Sequence, residues 1–190
     1  MRITGGQAGG RFLKVPKGMA VRPTIDRVKQ ALFNSLGNRV VDARVLELFG
    51  GSGALSLESL SRGAKLAVCV ELSPRHAGFI RDNVAAAGLS TEKLDVRTQD
   101  VFAALPQLLT TGQAFELILA DPPYGEKNVG RRSTSFAQKL LDDPSLPKLL
   151  APGGRFALGH ANRDKLEIPP AWREVKLLKH GDSVMRFFEV

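Results

Sequence analysis

The chain has 190 residues, 43% of them hydrophobic, with 27 Lys and Arg against 19 Asp and Glu, a formal net charge of +8. That length and hydrophobic content suit one domain with a buried core and exclude a disordered chain, while a single cysteine, Cys69, excludes an intrachain disulfide. No apolar run of about 18 residues is present to span a bilayer. The opening Met1-Arg2-Ile3-Thr4-Gly5-Gly6 also lacks the apolar stretch of a secretory leader, so a soluble cytoplasmic protein with no membrane partner is expected.

Residues 1–20 interleave Gly5, Gly6, Gly9, Gly10, Pro16 and Gly18 with short runs such as Arg11-Phe12-Leu13-Lys14-Val15, which predicts an irregular arm or small hairpin. From an N-cap at Thr24, after Pro23, the positions Ile25, Val28, Ala31, Leu32 and Leu36 predict a helix whose apolar face excludes Arg27 and Lys29. Strands and helices then alternate. Arg44 to Phe49 reads as a strand, Gly53 to Arg62 as a helix, Leu66 to Leu72 as a strand and Pro74 to Ala87 as a helix. Leu94 to Thr98, a helix from Val101 to Leu109, and the apolar strand Phe115 to Ala120 continue the pattern. A polar loop with Arg131 and Arg132, a helix around Phe136 to Leu141 and a turn at Pro152-Gly153-Gly154 precede closing strands at Arg155 to Gly159, Glu174 to Lys179 and Val184 to Val190. This order predicts a doubly wound α/β sheet, mostly parallel, with an antiparallel hairpin at its edge and a small N-terminal extension.

Charge is unevenly placed along this chain. Residues 1–40 hold Arg2, Arg11, Lys14, Lys17, Arg22, Arg27, Lys29 and Arg39 against Asp26 alone, which leaves 19 basic and 18 acidic side chains for residues 41–190. A local cationic segment attracts a polyanion, nucleic acid being the commonest inside a cell, and a basic face kept for solubility is the alternative. The chain therefore divides into a basic arm and helix over 1–40, not an independent domain, and a domain over 41–190. Removal of the arm is expected to separate binding from chemistry.

Ligands of such sheets bind beyond the carboxyl ends of the strands. After the first strand comes Glu47-Leu48-Phe49-Gly50-Gly51-Ser52-Gly53, a turn that lets a ligand approach the backbone. After the second comes Glu71, at about the 20-residue interval that suits a carboxylate on ribose hydroxyls. After the third comes Asp100. Together they predict an adenosine-containing cofactor. A dinucleotide fingerprint would need a glycine where Ser56 stands, and Glu47 is expected to project a negative charge where a pyrophosphate would lie, so S-adenosylmethionine is favoured. The fourth strand ends in Asp121-Pro122-Pro123-Tyr124. Two prolines fix the chain and remove donors, so a carboxylate, exposed carbonyls and a stacking face can receive a planar group carrying an NH₂. His76, His160 and His180 share no ligand spacing with Cys69, so no metal is expected, and Trp172 is expected to pack.

These residues resemble the Rossmann-like S-adenosylmethionine-dependent methyltransferases that modify exocyclic amines of bases. Arg22-Pro23-Thr24, Arg27-Val28, Ala31-Leu32-Phe33-Asn34 and the opening six residues are similar to the bacterial 16S ribosomal RNA guanine-N2 methyltransferases, the RsmD-like family. Glu47 stands where the family commonly has Asp, Gly50 where it has Ala, and Gln30 where it has Glu. The resemblance implies the class I methyltransferase fold, a monomer, and a substrate of 16S rRNA, possible also within an assembling small subunit. It implies a cofactor site of Glu47, Phe49, Gly51, Ser52, Gly53, Glu71, Leu72, Asp100 and Val101, and a catalytic loop of Asp121, Pro122, Pro123 and Tyr124. Arg2, Arg11, Lys14, Arg22, Arg27, Arg131 and Arg132 are then the RNA contacts. From the loop alone an adenine-N6 methyltransferase acting on DNA or RNA stays open, as does an inert basic RNA-binding or assembly protein; a dinucleotide oxidoreductase is disfavoured by Ser56.

Overall fold

The computed structural model describes residues 1–15, 26–125 and 131–190. Among these, α1 (Asp26–Leu36) leads into the alternating series β1 (Arg44–Leu48), α2 (Ala54–Ser61), β2 (Leu66–Glu71), α3 (Pro74–Ala86), β3 (Leu94–Thr98), α4 (Val101–Thr110) and β4 (Phe115–Ala120). The chain continues through α5 (Phe136–Asp142), α6 (Leu146–Leu149), β5 (Leu150–Ala161), β6 (Arg173–His180) and β7 (Ser183–Glu189). Helix starts follow local chemistry: Ser73 caps α3 by accepting from His76 N–H, with Pro74 in the first turn, and Asp100 caps α4.

All strands lie in one sheet of order β3-β2-β1-β4-β5-β7-β6. The first five in that order are parallel, and β7 runs antiparallel between β5 and β6. The winding therefore reverses between β1 and β4, which puts a crevice beyond the carboxyl ends of those two strands. Side chains on one face, among them Val45, Ala67, Leu117, Leu119 and Ala157, pack with α1, α2 and the N-terminal arm. On the other, Leu46, Val68, Ile118, Phe156 and Leu158 pack with α4, α5, α6 and Trp172. Trp172 is buried there against Phe156 and Phe188, and its indole N–H donates to the Leu141 carbonyl.

Three expectations are corrected. The expected turn at Pro152-Gly153-Gly154 lies inside β5, where the pairing with β4 shifts register between Phe115 and Leu117. A bulge tolerates Pro152 because no ladder donor is required at that point. The second correction concerns α1. Its expected start at Thr24 and the basic Arg22 lie outside the described residues, but its buried face is Lys29, Leu32, Phe33 and Leu36, rotated from the expected stripe.

Lys29, expected on the solvent side, is 0% exposed. Its ammonium lies 3.3 Å from Glu58 Oε2 and 3.9 Å from Asp26 Oδ1 and donates to the Arg2 carbonyl. Glu58 is as buried, and it also accepts from Thr4 N–H and Thr4 Oγ1, both at 2.8 Å, and from Arg62 Nε at 2.8 Å. A charge so buried is tolerable only when paired and fully hydrogen-bonded. The network ties the arm, α1 and α2 together.

The arm is a short hairpin closed by an Arg2–Phe12 bridge, as expected, but it is built into the core: Ile3, Ala8 and Leu13 are buried in the α2 face. Gln7 N–H donates to the Ser61 carbonyl, Ala8 N–H to Ser61 Oγ, and Ser61 Oγ to the Gly5 carbonyl. This coverage is why all eight residues of α2 are buried, polar ones included. Removing the arm would strip apolar cover and partners from α2, so truncation does not isolate binding from chemistry.

Candidate active site

The site begins where β1 stops. Phe49 takes φ 61°, a conformation rare for an aromatic side chain, and Gly51 and Gly53 follow at φ 57° and 74°. Gly50 has no positive φ; its reason is space. A Cβ there would lie 2.4 Å from Cys69 Sγ on β2, which accounts for glycine at this position. Gly50 N–H donates to the Val70 carbonyl and Gly53 N–H to the Gly50 carbonyl, so the turn is braced against β2. From the arm's side it is held by Asn83, whose amide donates to the carbonyls of Ser52 (3.1 Å) and Lys14 (2.9 Å) and accepts from Lys14 N–H (2.8 Å). Ser52 itself is buried, with its hydroxyl 3.6 Å from Met1 Sδ.

Glu47 does not project into the crevice as expected. Its side chain is 2% exposed and lies beneath the turn, where its oxygens accept from Leu55 N–H (3.2 Å) and Ser56 N–H (2.8 Å) in the first turn of α2, and from Cys69 Sγ (3.4 Å). Burial pushes its pKa up, and the bonds from Ser56, Cys69 and Leu55 pull it back. Burial also pushes the Cys69 thiol well up, which makes it a packing group. The case against a pyrophosphate survives for a different reason: the helix terminus that would bind it already holds a carboxylate from within.

Glu71 sits at the crevice, nearly buried. Oε2 accepts from Gly51 N–H at 2.7 Å and Oε1 from Ser73 N–H at 2.8 Å, while His76 Nδ1 lies 3.5 Å from Oε1. A carboxylate has about four lone-pair sites, so each oxygen can also accept a hydroxyl. Asp100 is exposed, and both its capping bonds, from Phe102 N–H (2.9 Å) and Ala103 N–H (3.1 Å), fall on Oδ1. Oδ2 takes no part in the cap. Leu72, 66% exposed, adds an apolar surface beside Glu71. Across the mouth Phe49, Phe102 and Phe136 form an aromatic group with centroids 5.3 to 6.3 Å apart, while Val101 is buried below it. Acceptors for ribose hydroxyls and an amine, apolar faces for a ring, and a helix terminus closed to phosphate together fit an adenosine group without phosphates.

Asp121 follows β4 directly. A Cβ on Gly159 of β5 would meet Asp121 Oδ1 at 2.4 Å, so the carboxylate lies against bare backbone of the neighbouring strand. Pro122 is buried and Pro123 exposed. Tyr124 donates its hydroxyl to Ser183 Oγ at 2.9 Å. The expected catalytic residues and those of the glycine turn thus share one sheet edge. Phe102, Phe136, Gly159 and Ser183 lie outside the expected set. Phe102, two positions past Asp100, could have been found from that spacing, whereas Ser183 carries no sequence signal.

Among the described basic residues, Arg2, Arg11, Lys14, Arg27 and Arg131 are exposed. Arg132 is exposed as well, and its guanidinium lies 2.7 Å from Asp142 and 2.9 Å from Glu167. Among the described residues no group of three or more His, Cys, Asp or Glu could hold a metal, and no helix is long and apolar enough to cross a membrane.

The family model described as Conserved hypothetical protein 95 matches residues 1–189. The chain belongs to this family, the RsmD-like proteins. Ribosomal RNA small subunit methyltransferase D of Escherichia coli strain K12 is 39% identical over 124 residues, 65% of this chain and 60% of that protein. Two solved structures agree over more of the family's length. A Thermus thermophilus hypothetical protein has a TM-score of 0.82 at 30% identity, covering 100% of this chain and 99% of that one. The Escherichia coli protein yhhF has 0.78 at 31% identity, covering 99% and 96%. The Rossmann-like class I fold read from the strand order is the fold of these relatives.

Proposed function

We propose that this chain is an S-adenosylmethionine-dependent methyltransferase acting on the exocyclic N2 of a guanine in 16S ribosomal RNA, free or in an assembling small subunit. Family membership and the similarity to ribosomal RNA small subunit methyltransferase D support the reaction and the rRNA substrate. The observation that carries the catalytic assignment is Asp121, lying against the bare Gly159 backbone beside two prolines at the edge shared with Glu71 and the glycine turn.

S-adenosylmethionine supplies the methyl group. Glu71 holds the ribose hydroxyls, Asp100 Oδ2 the adenine amine, Leu72 and the aromatic group the ring, and the Gly51–Gly53 backbone the methionine part. Asp121 and the Pro122 carbonyl accept the hydrogens of the target NH₂ and turn its lone pair toward the donor. As the nitrogen–carbon bond forms and the carbon–sulfur bond breaks, positive charge would move from sulfur to nitrogen, so acceptors fixed beforehand stabilise the transition state, and the surplus proton would leave nitrogen by way of Asp121. Tyr124 stacks on the base, and because only an extruded base reaches such an edge, the target guanine is unpaired or flipped. Arg2, Arg11, Lys14, Arg22, Arg27, Arg131 and Arg132 hold phosphates and set the register without reading sequence.

The test is incubation with 16S rRNA, small ribosomal subunits and DNA, each with methyl-labelled cofactor, followed by identification of the modified nucleoside. N2-methylguanosine from rRNA or subunits is expected. N6-methyladenine would transfer the assignment to the adenine reading, and no label in any sample would end the enzymatic one.

A further inference from the structure

Parallel strands deliver their carboxyl ends to the catalytic edge, whereas an antiparallel strand delivers its beginning. β7 is such a strand. Its first residue, Ser183, pairs with Ala161 at the end of β5, and Asn162 N–H donates to the Asp182 carbonyl just beyond, so the β6–β7 turn is pinned beside the catalytic loop. Ser183 Oγ there accepts the Tyr124 hydroxyl at 2.9 Å. The anchor is well held because β7 is hydrogen-bonded on both sides, to β5 and to β6. Tyr124 follows Pro122-Pro123, which fix φ but do not set the rotation of the ring about its own side-chain bonds.

We infer that Ser183 is a positioning residue that fixes the place of the Tyr124 ring from the opposite strand, so that the stacked guanine presents its amine to Asp121. The inference rests on the guanine reading above. A ring anchored at its hydroxyl loses little freedom when a base stacks on it, and the gain falls on turnover, because misorientation of a bound base costs catalysis more than binding.

Tyr124 is the only tyrosine in the chain, so one carbon-13 resonance from labelled tyrosine reports the ring directly. The experiment compares wild type, Ser183→Ala, Ser183→Thr, Tyr124→Phe and the double variant Ser183→Ala with Tyr124→Phe. For each, the tyrosine resonance (where present), the S-adenosylmethionine Kd, and kcat and KM on 16S rRNA are measured. Ser183→Ala is expected to shift the tyrosine resonance and lower kcat about fivefold, as for loss of one hydrogen bond, with cofactor Kd and rRNA KM unchanged. Ser183→Thr should keep wild-type values, and the double variant should be no slower than Tyr124→Phe. Multiplying losses, an unmoved resonance, or an effect confined to Kd would overturn the role. An inactive wild type whose resonance still responds to Ser183→Ala would instead overturn the guanine reading and leave no reaction for Ser183 to serve.

Discussion

The N-terminal arm and the catalytic edge are both built from short irregular segments, yet they are held in opposite ways. At the arm, buried charges do the holding: Lys29 and Glu58 meet inside the protein and gather Arg2, Thr4, Asp26 and Arg62 around them. At the catalytic edge the holding is done by backbone, through strand ends, the glycine turn braced on β2 and the N–H groups that fix Glu71. Side-chain networks are costly to break at a single point, because the remaining charge stays buried. Backbone scaffolds survive the loss of a side chain, so chemistry can be removed there without removing the fold.

The largest effect is expected of Glu58→Ala, which leaves Lys29 buried without its carboxylate. It should lower unfolding free energy by about 3–5 kcal/mol in urea titrations, whereas Lys29→Met with Glu58→Leu should recover most of the loss. Wild-type stability in the single variant would mean that the arm is not locked as described. At the other region Asp121→Ala should reduce methyl transfer by about 10² to 10³-fold, as for removal of a positioned transition-state acceptor, at unchanged S-adenosylmethionine affinity and melting temperature. Turnover at the wild-type rate would remove Asp121 from the mechanism.

Gly50→Ala probes the joint between turn and β2. Overpacking against Cys69 should cost about 1–3 kcal/mol and weaken cofactor binding, and Cys69→Ala in the same chain should restore both. An undisturbed single variant would show that the turn can shift to accept a methyl group. The smallest effect is expected at the arm's surface. Replacing Arg11, Lys14 and Arg27 together by Glu should weaken rRNA binding and flatten its salt dependence by about one unit of slope for each phosphate no longer neutralised, with stability unchanged. A salt slope equal to wild type would leave these charges a solubility face.

Much of the fold is legible in the sequence, because it depends on neighbours in the chain. Leu94–Thr98 and Phe115–Ala120 are strands at the expected limits, the helix after Asp100 starts at Val101 as expected, and the edge hairpin is antiparallel. The misreadings involve distant partners. Lys29 reads as solvent-facing because Asp26, its one partner within a helical turn, would pair with it equally well at the surface; the distant Glu58 and the Arg2 carbonyl bring it inside. Glu47 reads as a cleft carboxylate because residue type and position do not say which way a side chain turns, and the open N–H groups of α2 decide it. The arm reads as detachable because its charge differs from the rest, although Ile3, Ala8 and Leu13 alternate with those charges and enter the core. Ser183 is invisible because its partner is 59 positions away.

The placing of β7 between β5 and β6 also has a temporal meaning. Strands leave the ribosome in chain order. The glycine turn, Glu71, Asp100 and Asp121 have all been synthesised while β7 is still to come, and β6, already made, must wait for β7 before it can join the sheet. Ser183, behind Tyr124, is therefore the last of these site residues to be synthesised. The Tyr124 anchor is thus complete only in a chain whose β7 has been made and paired.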